Sequence, residues 1–333
     1  MSNEQQALSS GRFGTHSTAS QGQRVLEYGQ MDVFAESTLE GNMLAVFADA
    51  RGLTDGEMQA LARETNLSET TFILPGDPEG ERERGVRVRI FTTREELPFA
   101  GHPTLGTASW IWLNHQEFRG AAEIRLDLKV GTIPVRFTVP EPGTDGVFAE
   151  MRQRDPEFLG VHDKKQVAAA LGLAAEDLSE ELPVQTVSTG MPFCVVPLRS
   201  LTVAARLALP QDLSEKYLKE HGAKFFYCIT PAHPDSGADW HARMQFYGSE
   251  YPATGSAAGC AIAYLVRQGR AASGQRIVIE QGIEMKRPSR IHAHAILADG
   301  AVRDVYVGGR TIEVAKGRYF LPRCTRFQQD ERA

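Results

Sequence analysis

Up to Gly131 the apolar residues recur with two alternating periods. Short apolar runs at Arg24 to Phe34 and Met43 to Phe47, bounded by polar turns, predict two strands, with Gly41 and Asn42 in the turn between them. Thr54-Asp-Gly-Glu57 has the spacing of a capping box, and Met58, Leu61, Ala62 and Thr65 then fall on one helical face. The helix so predicted ends near Asn66. Thr70 to Leu74 resumes strand character, and Val86, Val88 and Ile90 alternate with Arg87 and Arg89 as a half-buried strand requires. Glu96 to Pro103 reads as a loop punctuated by Pro98, Gly101 and Pro103. It leads into a helix with Pro103 in its first turn and Leu105, Ala108, Trp110 and Trp112 behind it. Ile124, Leu126 and Leu128 alternate with charged residues as the next strand, which Gly131 closes.

Between Thr132 and Leu213 the pattern predicts a helix at Lys164 to Leu171 and a strand at Met191 to Leu198. Phe225 to Thr230 and Ala242 to Tyr247 are further strands. Near Pro252 the earlier order returns. Pro103-Thr-Leu-Gly106-Thr107-Ala108 is matched by Pro252-Ala-Thr-Gly255-Ser256-Ala257, and each hexamer opens a helix followed by a strand and a glycine, Gly131 in one copy and Gly282 in the other. The repeat predicts a duplicated unit whose two helix starts face one cleft.

Helix starts carry unpaired N–H groups and the positive end of the helix dipole, and glycine there lets a ligand approach the backbone. Two of them, at Gly106 and Gly255, would hold a carboxylate-bearing small molecule, with the hydroxyls of Thr107 and Ser256 as added donors or as plain helix-start residues. Such a cleft also stabilises negative charge when a proton leaves carbon, provided a base stands beside it. Glu69, between a helix and a strand and flanked by apolar and hydroxyl residues, is the candidate base, although its local sequence also reads as a solvated turn. His102 is the second candidate, since imidazole donates or accepts near neutral pH; otherwise it is a histidine bonded within its loop.

Composition narrows the partners. The 333 residues are 42% hydrophobic and 23% charged, as in ordinary globular proteins, and the length favours two domains. A net charge of −6 supplies no basic field for nucleic acid, and no apolar run reaches the roughly 20 residues of a membrane span. Residues 1–23, rich in Ser, Gln and Gly, read as a disordered tail without a signal-peptide core. Cys194, Cys228, Cys260 and Cys324 are widely separated and form no CxxC pair, which fits reduced thiols in a cytoplasmic protein. Cys260, in an Ala-rich helical stretch, reads as core. His292 and His294 share a strand face without a carboxylate at ligand spacing, and neither GxGxxG nor GxxxxGK[ST] occurs. No metal and no nucleotide cofactor is expected.

Four motifs occur in order: Glu40-Gly-Asn42, Asn66-Leu-Ser68-Glu69-Thr-Thr-Phe72, Leu97-Pro-Phe-Ala-Gly101-His102-Pro and Ala253-Thr-Gly255-Ser256-Ala-Ala-Gly259. Together they resemble the PhzF family of phenazine biosynthesis, over about Val25 to Leu321, with Gln281-Gly282 and Arg287-Pro288-Ser289 in support. The resemblance implies an α+β fold of the diaminopimelate epimerase type, two similar lobes each with a mixed β-sheet wrapped around a central helix. With the repeat, it divides the chain into an N-terminal lobe over 24–130, a C-terminal lobe over 131–312 and a strand over 313–328 that returns to the first lobe. It also implies a cofactor-free site, a homodimer, and an isomerase in which Glu69 moves a proton on a small carboxylated substrate. His102 carries over as its partner, and Gly255 and Ser256 as substrate-binding groups beside Asn42, Ser68, Gly101, Gly106 and Thr107.

One position departs from the family. Where phenazine-pathway members carry Asp, this chain has Tyr251, a phenol that donates a hydrogen bond but is a weak base at neutral pH. Glu250, next to it, points elsewhere if the backbone is extended. A single shuttling base suits a shift of a proton from one carbon to another. Epimerisation, which needs a second acid on the opposite face, and a non-catalytic ligand-binding role are the alternatives.

Overall fold

Local chemistry fixes the first helix, Asp55–Thr65. Thr54 Oγ1 accepts from the Glu57 N–H at 3.2 Å and the Glu57 carboxyl accepts from the Thr54 N–H at 3.0 Å, while Asn66 ends the helix in the left-handed region at φ 52°. Strand Val86–Phe91 buries Val86, Val88 and Ile90 and turns Arg87 to solvent, as its alternation requires. The computed structural model describes residues 23–140, 143–246 and 248–322. The tail expected over the first residues, apart from Gln23, lies outside the described residues, as do Cys324 and the end of the returning strand.

Eight strands close into a barrel. In order around it stand Gln23–Val33, Asn42–Phe47, Glu69–Leu74, Val86–Phe91, Glu123–Leu128, Gly131–Thr138, Val147–Arg152 and the long strand Ala301–Pro322, which pairs back onto Gln23–Val33. Two pairings, Asn42–Phe47 with Glu69–Leu74 and Val86–Phe91 with Glu123–Leu128, are parallel, so the sheet is mixed. Closure removes both sheet edges and encloses the helix Gly101–Asn114. Its Leu105, Ala108 and Ile111 belong to the same apolar cluster as Val33, Leu44, Val88 and Leu126.

From the long strand the sheet continues through Ser289–Ala298, Ile277–Gln281, Trp240–Arg243, Phe225–Pro231, Pro192–Pro197, Val184–Ser188 and Glu157–His162. A second apolar helix, Gly255–Arg267, packs against Ser289–Ala298, the long strand and Pro192–Pro197. Among the described residues no helix is long and apolar enough to cross a membrane.

Gly131, at φ 104°, turns the chain of Glu123–Leu128 straight back into Gly131–Thr138, and the strands Gly131–Thr138 and Val147–Arg152 pair within the barrel. The strand expected at Ala242 to Tyr247 breaks after Arg243, and Gln245–Phe246 instead forms a short hairpin with Ser249–Glu250. The helix inside the barrel starts at Gly101, with Ala100 as its N-cap, and Pro103 lies in its first turn as expected.

Candidate active site

The two buried helices meet at their N-termini. A Cβ built on Gly101 would stand 3.6 Å from the Ser256 backbone nitrogen and 4.0 Å from the Gly255 carbonyl carbon. Neither helix has a side-chain cap hydrogen bond or an acidic residue in its first turn. Two sets of unpaired N–H groups and two positive dipole ends therefore point at one place, where an anion is stabilised.

The acid-base candidates gather beside them. Strands Asn42–Phe47 and Glu69–Leu74 run parallel, with Leu44 opposite Glu69, so their N-terminal ends lie together at the end of the barrel from which the Gly101 helix starts. Glu69 and His102 are each 7% exposed, and Glu69 Oε2 lies 3.5 Å from His102 Nε2. Neither of these two atoms has another hydrogen-bond partner among the described residues. Asn42 Nδ2 stands 3.4 Å from His102 Nδ1 and donates to the Ala253 carbonyl at 3.0 Å, and Ser68 Oγ donates to Asn42 Oδ1 at 3.3 Å. Burial pushes the His102 pKa below that of free imidazole, against the opposing pull of the Glu69 charge and the Met43 backbone. Burial thus favours the neutral ring.

Tyr251 completes the cluster. Its hydroxyl lies toward Glu69, and burial, reinforced by the Glu69 charge, pushes its pKa well above that of free tyrosine. It is a fixed donor toward the carboxyl and not a base. Its ring stacks on Phe246 with centroids 4.4 Å apart. Glu250 does not take the acidic role, because both its oxygens are engaged by Arg243, at 2.8 and 2.6 Å.

Buried side chains from distant parts of the sequence hold these groups in place. Arg287 donates to the carbonyls of Gly41 at 2.8 Å, Leu39 at 3.1 Å and Glu40 at 3.0 Å, and to Asp32, which is fully buried. That clamp fixes the turn before Asn42. Gly41 itself sits at φ 67°, and a Cβ there would lie 2.3 Å from the Val33 carbonyl oxygen, so no other residue fits. Gln281 Nε2 donates to the Tyr251 carbonyl at 2.8 Å and to Thr254 Oγ1 at 3.0 Å, and Ser289 Oγ donates to the Pro252 carbonyl at 2.8 Å. Gln153 Nε2 donates to the Gly255 carbonyl at 2.9 Å; a Cβ on Gly259 would fall 1.9 Å from Gln153 Oε1. Sequence reading quoted Arg287, Gln281 and Ser289 only as parts of motifs and did not assign them these contacts. Asp32 and Gln153 it missed, since nothing local marks either.

The structure thus brings together Asn42, Ser68, Glu69, Gly101, His102, Tyr251, Gly255 and the half-buried Ser256. Gly106 and Thr107 stand apart from this group. Gly106 lies a full turn inside its helix, where a Cβ would meet Leu44 Cδ2 at 2.5 Å and Val33 Cγ2 at 2.8 Å. Thr107 is fully buried and its Oγ1 donates to Thr71 Oγ1 at 2.8 Å. Both residues serve helix-to-sheet packing.

Residues 31–317 match the family model described as phenazine biosynthesis-like protein. The chain is similar to a trans-2,3-dihydro-3-hydroxyanthranilate isomerase of Pseudomonas aeruginosa, with 37% identity over 88% of this chain and 99% of that one. Among solved structures it resembles a predicted epimerase from Pseudomonas aeruginosa, 38% identical with a TM-score of 0.73 over 88% of this chain and 99% of the other. A PhzF-family phenazine biosynthesis protein of Bacillus anthracis, 26% identical, superimposes with a TM-score of 0.79 over 89% of this chain and 99% of its own.

Proposed function

The chain belongs to the phenazine biosynthesis-like family, and from that premise we propose that it is an isomerase that moves a proton between two carbons of a small unsaturated or cyclic carboxylic acid, without a cofactor, with Glu69 as both acid and base. The observation that carries the reading is the buried Glu69 carboxyl, 3.5 Å from His102 Nε2 and beside the meeting point of two helix N-termini. A carboxylate bound at the N–H groups of Gly101, Gly255 and Ser256 presents its neighbouring carbon to Glu69. Glu69 takes the proton, and the electron pair left by the C–H bond spreads over the conjugated system toward the bound carboxylate. The same proton then returns to a different carbon, so nothing is gained or lost. Asn42 and Ser68 line the base side of the site.

Epimerisation requires a second acid on the far face of the substrate, and Tyr251, which stands beside Glu69 with its pKa raised by burial, supplies that poorly. The finer architecture belongs to the same proposal: two similar lobes, each wrapped around a central helix, joined by the long strand Ala301–Pro322 and divided near residue 152. The continuous sheet order and the paired helices support it. A cytoplasmic setting is supported by the buried free thiols of Cys194, Cys228 and Cys260, and a homodimer follows the family resemblance.

The test is hydrogen exchange. Small unsaturated and cyclic acids, trans-2,3-dihydro-3-hydroxyanthranilate among them, are incubated with the protein in deuterated water and followed by NMR. Isomerisation or carbon-bound deuterium that the intact chain produces and Glu69→Gln does not is the expected result; equal exchange by the two proteins removes Glu69 from the chemistry.

A further inference from the structure

Asn42 was expected to bind substrate, but its hydrogen bonds point to a different task. From them we infer that Asn42 is a positioning residue that fixes the proton of neutral His102 on Nε2, aimed at Glu69. The amide cannot be reversed. Its Nδ2 faces the Ala253 carbonyl at 3.0 Å, which only accepts, and its Oδ1 faces the Ser68 hydroxyl at 3.3 Å, which donates to it. The NH₂ group has one further hydrogen, and the atom in its reach is His102 Nδ1 at 3.4 Å. If Nδ1 carried a proton, two donors would face each other inside the protein, where Asn42 is 3% exposed. Nδ1 is therefore the acceptor, and in a neutral ring the proton sits on Nε2.

That tautomer also accounts for two otherwise unpartnered buried atoms. Nε2–H faces Glu69 Oε2 at 3.5 Å, a gap that a shift of a few tenths of an ångström closes to a hydrogen bond. The opposite tautomer would set a nitrogen lone pair against a carboxyl oxygen and leave an Asn42 hydrogen unspent. The Met43 backbone lies near the ring and favours its protonated form, but the side-chain contacts of the two ring nitrogens are Asn42 Nδ2, 3.4 Å from Nδ1, and Glu69 Oε2, 3.5 Å from Nε2. Asn42 also ties residue 42 to residue 253, so the tautomer is set only when the Gly41 turn and the Pro252 turn are both in place. His102 is then a donor that steadies the Glu69 carboxyl and not a second base. This role rests on the isomerase reading, whereas the tautomer itself does not.

Ring ¹⁵N chemical shifts and two-bond correlations in histidine-labelled protein read the tautomer directly, with His102→Gln assigning the signal. Measured well above the depressed pKa of His102, the full chain is expected to give the Nε2–H pattern, and Asn42→Asp, whose carboxylate accepts from Nδ1–H, the reversed or the doubly protonated pattern. An Nδ1–H ring in the unsubstituted protein overturns the inference, as does an unchanged Nε2–H ring in a folded Asn42→Asp. Should Asn42→Asp not fold, the spectrum of the unsubstituted protein still decides. Since no substrate enters the measurement, its failure is distinct from a failure of the exchange experiment.

Discussion

Gly101 and Ser256 stand face to face: a Cβ on the glycine would sit 3.6 Å from the serine's backbone nitrogen, although 155 positions of chain separate them. Two helices that meet at their N-termini bring dipole ends of the same sign together, an arrangement that favours an anion between them. The absence of a side chain at residue 101 lets the two helix starts approach this closely.

Gly101→Ala tests this. The new methyl would meet Met151 Cε at 3.3 Å, the flexible end of a side chain, and alanine is the better helix former, so the fold should lose little. The methyl nonetheless intrudes where a carboxylate would approach the N–H groups. For an acid that the protein isomerises, KM is expected to rise about tenfold, the equivalent of about 1.4 kcal/mol of binding, with the melting temperature nearly unchanged. Steady-state kinetics and a thermal melt measure both.

Gly106→Ala should behave in the opposite way. A Cβ there is 2.5 Å from Leu44 Cδ2 and 2.8 Å from Val33 Cγ2, so the helix must move off the barrel wall. Overpacking of this kind costs about 1–3 kcal/mol. Urea denaturation should show that loss, with KM close to that of the unsubstituted protein. A KM effect without destabilisation would return Gly106 to the binding groups.

The contrast between these two glycines shows how far the sequence could be read. The hexamers at Pro103 and Pro252 align Gly106 with Gly255, and that alignment predicted two matching helix starts. Helix starts are set by where the N-cap falls, and the caps are Ala100 and Thr254, so the structural equivalents are Gly101 and Gly255. The capping box of Thr54 and Glu57 was legible because every contact in it is local. The convergence of Glu69 with His102 was not, because it depends on the parallel pairing of Asn42–Phe47 with Glu69–Leu74, which no spacing announces. The motif resemblance named both residues without giving their distance. The Arg287 clamp on Gly41 and Asp32 joins parts of the chain almost as far apart as the sheet allows, and barrel closure by Ala301–Pro322 on Gln23–Val33 is of the same kind.

Outside the site, His241 should make stability depend on alkaline pH. Burial opposes its charge, but Glu280 Oε1 at 3.1 Å and Glu284 Oε1 at 3.0 Å outweigh it and raise the pKa to about 9 from an ordinary 6.5. A raised folded-state pKa gives stability that is complete below pH 6.5 and is lost as pH rises through 9. The loss over that window is on the order of 3 kcal/mol. Urea unfolding of the unsubstituted protein at the two ends of the window should show it. His241→Gln should be less stable at the acid end and nearly flat between them. A slope that survives the substitution would assign it to another group.

Tyr251 is where this chain departs from the phenazine-pathway pattern, and two substitutions separate what its ring does from what its hydroxyl does. Tyr251→Phe keeps the stack on Phe246, with its 4.4 Å centroid separation, and removes only the donor to Glu69. Hydrogen bonds to charged groups contribute about 1.5–3 kcal/mol. Loss of this one should slow carbon-hydrogen exchange by about ten- to a hundredfold, with KM little changed, because the phenol orients the base and does not grip the substrate. Tyr251→Asp instead sets a second carboxyl against Glu69 in a site that is nearly free of solvent, and two such groups share a proton. It also opens the volume that the ring now fills. The expected outcome is a gain of activity on larger cyclic acids, trans-2,3-dihydro-3-hydroxyanthranilate included, and a loss on whichever smaller acid the unsubstituted protein prefers. If Tyr251→Phe exchanges as fast as the parent and Tyr251→Asp has the parent's substrate range, Tyr251 neither orients Glu69 nor sets the size of the site, and specificity must then be sought among the residues around the Gly255 helix start.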